Sequence, residues 1–284
     1  MYDQGRADAL YKFAGDIDPE LLERIFANAR PGDVISHDTI VGDLAQRSLK
    51  AVPVYAAVSN HSKRLSGSPI NHTSMYVGRG ADGRHLLAEF DETGFGIKPI
   101  QDIADHQRLV VQRPEGVTAQ QAEAAAQYMR DLAASGKGKY SFRNLLAAVP
   151  SAYAWDVARN KPNHPLQKGF DRVADVVGRT VGQNCDPTTS ICSHGAILAY
   201  DKPLGGRENA IKALTGERID PVKAQYAVSP ARLSASPTMS TLGEYVPANS
   251  AGRGFMGALR GTGRNIAARI PFMRKNPAPI LGRR

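Results

Sequence analysis

The alternation of hydrophobic and polar positions changes its period along this chain, and the change predicts where helices give way to strands. In LLERIFANAR the apolar side chains fall on one helical stripe, and Asp18-Pro19-Glu20 before it is typical of a helix start. Pro31-Gly32-Asp33 breaks this helix. Runs rich in β-branched and aromatic residues then predict four strands, over residues 34–35, 72–78, 85–90 and 108–112. Gly83 separates the second strand from the third, which predicts a hairpin.

The pattern after the fourth strand is mainly helical. Thr118 opens TAQQAEAAAQYMRDLAASG, with Gln121 completing a capping box and Gly136 ending the helix. Four more helices are predicted, over residues 143–160, 168–181, 192–199 and 207–214. Residues 227–250, rich in Ser, Pro, Ala and Thr, predict an extended linker. This order of elements predicts an α+β fold in which helices pack on a small antiparallel sheet.

Length and composition are those of a folded protein, since 284 residues with 42% hydrophobic side chains can bury a core. No apolar stretch approaches the roughly 18 residues of a membrane span. The first residues lack a basic segment followed by an apolar run, so we expect no secretory signal and synthesis in the cytoplasm. Cys185 and Cys192 make neither a disulfide framework nor a usual zinc pattern, which favours a reducing compartment.

The net charge of +9 is concentrated at the end of the chain. No acidic residue follows Glu244, whereas residues 1–244 carry 28 basic and 27 acidic side chains, a net charge of +1. The eight basic residues of this glycine-rich tail are Arg253, Arg260, Arg264, Arg269, Arg274, Lys275, Arg283 and Arg284. We therefore expect contact with a polyanion or a protein assembly to involve the tail.

Cys192 is the candidate nucleophile. Thr188, Thr189 and Ser190 are good helix caps, and the apolar run that follows places the thiol in the first turn of a helix. Free N–H groups and the helix dipole favour a thiolate there, and a nearby base would make it reactive. A small buried hydrophobe at a helix start is the alternative, because free cysteines are often simply buried. The loop around Cys185 has no comparable setting, and that residue is interpreted as structural.

Two of the seven histidines are candidate bases. His72 stands where a loop enters a strand, and His37, which follows a strand, is its main rival. His194 is only two residues from Cys192 and would point elsewhere on a helix. The polar loops around His61, His106 and His164 predict solvated rings. A base of this kind needs an orienting group, and Glu89, with Asp91 as second candidate, lies on the strand after that of His72.

The order of these segments resembles that in the circularly permuted NlpC-like amidases and peptidases of the papain-like superfamily, which include the YiiX-like proteins. More distantly, it is similar to that in lecithin retinol acyltransferase-like enzymes. The resemblance covers roughly residues 31–200. The matching segments are Pro31-Gly32-Asp33-Val34-Ile35, NHTSMYVG around His72, LLAEF around Glu89, Gly138-Lys139-Tyr140-Ser141-Phe142, and ICSHGAILAY around Cys192.

The resemblance implies a papain-like fold and a role for each matched position. Cys192 matches the nucleophile, His72 the general base and Glu89 the orienting acid. Tyr140 matches an aromatic beside the cysteine pocket, and Ser193 follows the nucleophile as a substrate-binding candidate. Three features depart from the family pattern. His194 stands where an acidic residue is common, and the stretch between Tyr140 and Cys192 is longer than expected, which predicts a helical insertion over residues 150–185. The export signal that is usual in the family is also not expected here. No metal or organic cofactor is implied.

The expected domains are a helical segment over residues 1–30, a hydrolase domain over 31–225 with a helical insertion at 150–185, and the linker and tail over 226–284. The expected activity is hydrolysis of a peptide or peptidoglycan-like amide. The enzyme is expected to be carried in a virion or another secreted machine. Two alternatives remain open at this point. One is a non-catalytic module of a larger assembly, such as a phage particle, anchored by the tail. The other is an acyltransferase acting on lipids.

Overall fold

A computed structural model describes residues 19–38, 70–91, 94–100, 108–141, 188–221 and 228–245, with isolated positions between 168 and 180 and at 224. Within these ranges the protein is α+β. The helices are α1 (Pro19–Phe26), α2 (Ala119–Ser135), α3 (Cys192–Asp201), α4 (Arg207–Thr215) and α5 (Pro230–Ser234). The strands are β1 (Val34–Asp38), β2 (His72–Arg79), β3 (His85–Asp91), β4 (Gly94–Pro99), β5 (Arg108–Pro114), β6 (Lys139–Tyr140), β7 (Thr189–Ser190) and β8 (Met239–Tyr245).

Six strands form one antiparallel sheet in the order β4-β3-β2-β1-β5-β8. The predicted hairpin of β2 and β3 is confirmed, and Gly83 in its turn has a φ of 77°, which favours glycine. A second sheet pairs β6 with β7 in parallel, so that Tyr140 lies opposite Ser190. The sheet is larger than the sequence pattern predicted, because β4 and β8 extend it at its two edges.

Helices cover both faces of the six-stranded sheet. On one face α2, α3 and α4 bury an apolar core against β2, and the fully buried residues there include Met75, Ile197, Tyr200 and Ile211. On the opposite face Phe26 and its neighbours in α1 pack on apolar residues of the sheet. The apolar stripe predicted for the first helix is therefore confirmed as a core-facing surface.

The Pro31-Gly32-Asp33 turn joins α1 to β1 and ties several elements together. Gly32 has a φ of 96°, and a Cβ there would lie 2.5 Å from the carbonyl oxygen of Ala122, so no larger residue fits. The Tyr200 hydroxyl donates to the Gly32 carbonyl over 2.7 Å. The fully buried Asp33 carboxylate accepts two bonds from the Arg113 guanidinium, at 2.9 and 2.8 Å. This turn thus connects β1, β5, α2 and α3.

Local signals explain where several helices begin and end. The capping box of α2 is present, since the Thr118 side chain accepts from the Gln121 N–H, and Gly136 ends the helix in a left-handed conformation. The predicted linker over 227–250 is wrong for residues 228–245, which form α5 and β8. Ser229 caps α5 through its hydroxyl, and β8 pairs with β5. The predicted helix over 143–160 and the tail after residue 245 lie outside the described residues.

Within the described ranges, no helix is both long enough and apolar enough to cross a bilayer.

Candidate active site

Cys192 is the first residue of α3 and its side chain is buried, with 8% of the residue exposed. The predicted helix start is confirmed, but its predicted caps are wrong: Ile191 occupies the N-cap position and makes no side-chain cap, because Thr189–Ser190 is drawn into β7. The helix therefore begins with free N–H groups beside the thiol. The backbone N–H groups of Thr73 and Ser193 lie beside the Cys192 sulfur and lower the pKa of the thiol.

Close packing fixes the start of α3 against the sheet. A Cβ added at Gly195 would lie 2.7 Å from Phe90 Cδ2 on β3, so the helix backbone approaches this ring as only glycine permits. On another side the Ser193 hydroxyl donates to the Val228 carbonyl over 2.6 Å. These contacts set the position of Cys192 relative to β2 and β3.

The strand register brings His72 and Glu89 onto the same face of the sheet. Met75 pairs with Ala88, and side chains alternate along each strand, so Ser74 faces Glu89 and His72 lies one diagonal away. His72 Nε2 and Glu89 Oε2 are 3.2 Å apart, off the line of a well-formed hydrogen bond. Both residues are 5% exposed. The pair is thus a buried ion-pair contact when the imidazole is protonated.

The charges of the three groups support one another in spite of burial. Burial by itself lowers the pKa of His72, but hydrogen bonding and attraction from Cys192 and Glu89 outweigh it and raise this pKa well above 6.5. Burial raises the pKa of the Cys192 thiol, but the adjacent His72 cation, together with the Thr73 and Ser193 N–H groups, brings it below 9.0. The result is an environment for a thiolate–imidazolium pair.

Glu89 is held ionised by cations on two sides. Burial raises the pKa of its carboxyl, but the His72 ring and the Lys98 ammonium hold it well below 4.5. Lys98 Nζ donates to Glu89 Oε1 over 2.8 Å and also to Asp91 Oδ2. Asp91, the second candidate for the orienting role, is therefore paired with the same ammonium.

His37 lies next to the candidate base. It is Cα partner to His72 across β1 and β2, and the two rings meet edge-on with centroids 5.1 Å apart and an interplanar angle of 72°. Its Nε2 is 2.5 Å from the Ser74 hydroxyl, and the residue has no exposed surface. The two histidines that the sequence proposed as rivals are thus neighbours, and His72 contacts Glu89 and interacts with Cys192.

The other predicted residues take different places around the site. Tyr140 is half-buried on β6 and lies opposite Ser190 on β7. Ser190 is two residues before Cys192 in the chain, so Tyr140 lies near the start of α3. His194 Nδ1 is 2.8 Å from the Ser190 hydroxyl, and burial, reinforced by the charge of Arg207, lowers the pKa of His194 to about 3. His194 is therefore a neutral ring that is hydrogen-bonded to Ser190.

Within the described part of the chain, Lys98 is a charged contact of the site that sequence reasoning missed. It stands on β4, which was not predicted because GFGIKP has two glycines and a proline. Within the described ranges, no cluster of histidine, cysteine and carboxylate side chains has the arrangement of a metal site. The remaining residues from the sequence prediction, including His61, His106, His164 and Cys185, lie outside the described residues.

Comparison of the chain with known proteins identified no relative. No family model, no curated protein and no solved structure matches the chain.

Proposed function

We propose that this protein is a cysteine hydrolase of amide bonds, with Cys192 as nucleophile, His72 as general base and Glu89 as the orienting carboxylate. The observation that carries the proposal is the meeting of these three side chains in one buried cluster at the start of a helix. A thiol packed as an ordinary hydrophobe needs neither a paired imidazole nor two N–H donors on its sulfur. Three separate elements, α3, β2 and β3, contribute to the cluster.

The first half of the reaction forms an acyl-enzyme. His72 takes the thiol proton, and the Cys192 sulfur attacks the carbonyl carbon, so that a C–S bond forms and the carbonyl oxygen becomes an oxyanion. Backbone N–H groups at the start of α3 can stabilise this charge. When the intermediate collapses, the C–N bond breaks and the His72 proton passes to the leaving amine.

The second half regenerates the thiolate. His72 removes a proton from a water molecule, whose oxygen attacks the thioester carbon. The new C–O bond replaces the C–S bond, the acid product leaves, and the proton remains on His72 beside the thiolate. Glu89 contributes by orienting the ring and stabilising its cationic form at each stage.

We further propose that the core is a permuted NlpC-like domain of the papain-like class. The chain order supports this proposal, since the base on β2 and the carboxylate on β3 precede the nucleophile on α3. Peptide or peptidoglycan-like amides are then the proposed substrate class. This proposal is tested against two alternative functions, a non-catalytic module and a lipid acyltransferase.

Alkylation by iodoacetamide tests the proposal, and Cys185 supplies a matched control. We expect wild type and Cys185→Ala to be alkylated at residue 192 near pH 6, where an ordinary thiol reacts slowly. We expect Cys192→Ala to lose this fast phase and all hydrolysis of 4-nitrophenyl acetate beyond background. Near-UV circular dichroism checks that the variant remains folded.

The outcomes separate the candidate functions. Slow alkylation of folded wild type, with a rate that rises only near pH 9, would contradict the hydrolase and favour the non-catalytic module. Fast alkylation with acyl transfer to an added amine or alcohol in preference to water would identify a transferase.

A further inference from the structure

Lys98 lies between two carboxylates at the edge of the candidate active site. Its ammonium donates to Glu89 Oε1 over 2.8 Å and to Asp91 Oδ2, and only 29% of its side chain is exposed. Glu89 and Asp91 are two residues apart on β3, so both point to the same face of the sheet. The β3–β4 register pairs Lys98 with Leu87, which lets the long side chain reach along β3 to both acids.

Keeping both buried carboxylates, Glu89 and Asp91, ionised on one face of the sheet costs electrostatic free energy. Without a cation between them, the neighbouring negative charge raises the pKa of Glu89, so this carboxyl takes up a proton more readily. Glu89 would be neutral in part of the pH range where the candidate reaction needs its charge. The Lys98 ammonium removes this conflict, because the three groups together carry a net charge of −1 instead of −2.

Lys98 also occupies one oxygen of Glu89 and leaves the other to the base. Lys98 contacts Oε1, whereas His72 contacts Oε2 at 3.2 Å. A carboxylate fixed at one oxygen by a partly buried ammonium has less freedom to rotate away from the imidazole. Lys98 on β4 thus fixes the Glu89 carboxylate on β3, and this carboxylate in turn orients the His72 ring on β2.

We propose that Lys98 is a positioning residue that keeps Glu89 charged and directed at His72, with Asp91 as the counter-ion that balances the ammonium. The inference rests on the proposed cysteine hydrolase, and it adds a fourth and a fifth residue to the three discussed above. It assigns a role to β4, the edge strand of the sheet, that is separate from its role in packing.

The charged and titratable groups around Glu89 determine the expected effect. They are His37 on β1, His72 on β2, Asp91 on β3, Lys98 on β4 and Cys192 on α3. Replacing Lys98 by methionine leaves the two carboxylates without their shared cation, so the pKa of Glu89 rises. As pH falls, Glu89 then takes up a proton earlier and stops stabilising the His72 cation. Loss of the ammonium also disfavours the Cys192 thiolate, which acts in the same direction.

The experiment is the pH profile of Cys192 alkylation by iodoacetamide in the full chain. For Lys98→Met we expect the acid limb to move to higher pH by about 1 unit or more, which is roughly a tenfold slower rate at pH 5 to 6. Lys98→Arg keeps the charge and can bond both acids, so its acid limb should stay near that of wild type. Lys212→Met removes an exposed lysine of α4 and is the matched control.

A fourth variant tests the role of Asp91. In the double variant Lys98→Met/Asp91→Asn, Glu89 no longer has a charged acid beside it, so the acid limb should return part of the way to its wild-type position. A purely structural Lys98 would lower the melting temperature or the maximal rate without moving the limb.

The result for wild type separates the two proposals. If wild type shows no reactive thiolate near pH 6, the hydrolase proposal itself fails. If wild type is reactive but Lys98→Met has the same acid limb, or if Lys98→Arg shifts as far as Lys98→Met, the inference about Lys98 is overturned. A limb that moves in Lys98→Met and is restored by arginine supports it.

Discussion

Replacing Glu89 by glutamine removes one charge from the candidate site and keeps the shape of the side chain. In wild type this carboxylate contacts His72 at 3.2 Å and Lys98 at 2.8 Å. Its loss leaves the imidazolium without this counter-charge and leaves the Lys98 ammonium paired with Asp91. Both changes lower the pKa of His72, and the less cationic ring then raises the pKa of Cys192.

The expected magnitude follows from the contact distance. Two unit charges 3.2 Å apart at an effective dielectric constant of about 20 interact by at most about 5 kcal/mol. Part of this is offset by the cost of burying the carboxylate, and a charge in contact typically shifts a pKa by about 1 to 3 units. Each unit changes the thiolate fraction about tenfold, so alkylation at pH 6 should slow by about 10- to 1000-fold.

The assay is iodoacetamide alkylation followed by mass spectrometry from pH 5 to pH 10. We expect the rates of Glu89→Gln and wild type to converge near pH 10, where the thiol ionises without help. Glu123→Gln, which removes an exposed carboxylate paired with Arg130, is the control and should match wild type throughout. Equal rates for folded Glu89→Gln and wild type at pH 6 would refute the role given to this carboxylate.

Two further predictions concern the fold around the site. Gly195→Ala should lower the free energy of unfolding in urea by about 1 to 3 kcal/mol, because the new methyl group would lie 2.7 Å from Phe90. Gly96→Ala is the control and should change this free energy little, because a Cβ there would have no atom within 4 Å. Equal losses of stability in the two variants would contradict the packing argument. His194 has a folded pKa of about 3 against 6.5 unfolded, so the unfolded state binds its proton first and stability falls as pH drops below 6.5. Between pH 7 and pH 4.5 wild type should lose about 3 kcal/mol more than His194→Asn, and parallel urea curves for the two would refute this.

Local sequence signals were sufficient to predict a structural element where one residue type imposes the backbone conformation. The capping box of α2, the glycine turn between β2 and β3 and the start of α3 depend on neighbours in the chain, and all three were predicted. The edge strands were missed for the opposite reason. GFGIKP and MSTLGEY have weak strand preferences of their own, and they are strands because β3 and β5 offer unpaired backbone groups beside them.

The candidate site divides in the same way. The sequence by itself determined that Cys192 begins a helix and that His72 and Glu89 lie on strands joined by a short turn. Only the tertiary structure decided that the thiol meets His72, because His72 and His37 form one cross-strand pair and the sequence does not distinguish them. It also decided that Lys98 reaches Glu89, because this depends on the register of a strand the pattern did not reveal. Periodicity fixes which side of an element a residue faces, whereas contact between elements depends on register and packing, and these are settled only when the whole core is assembled.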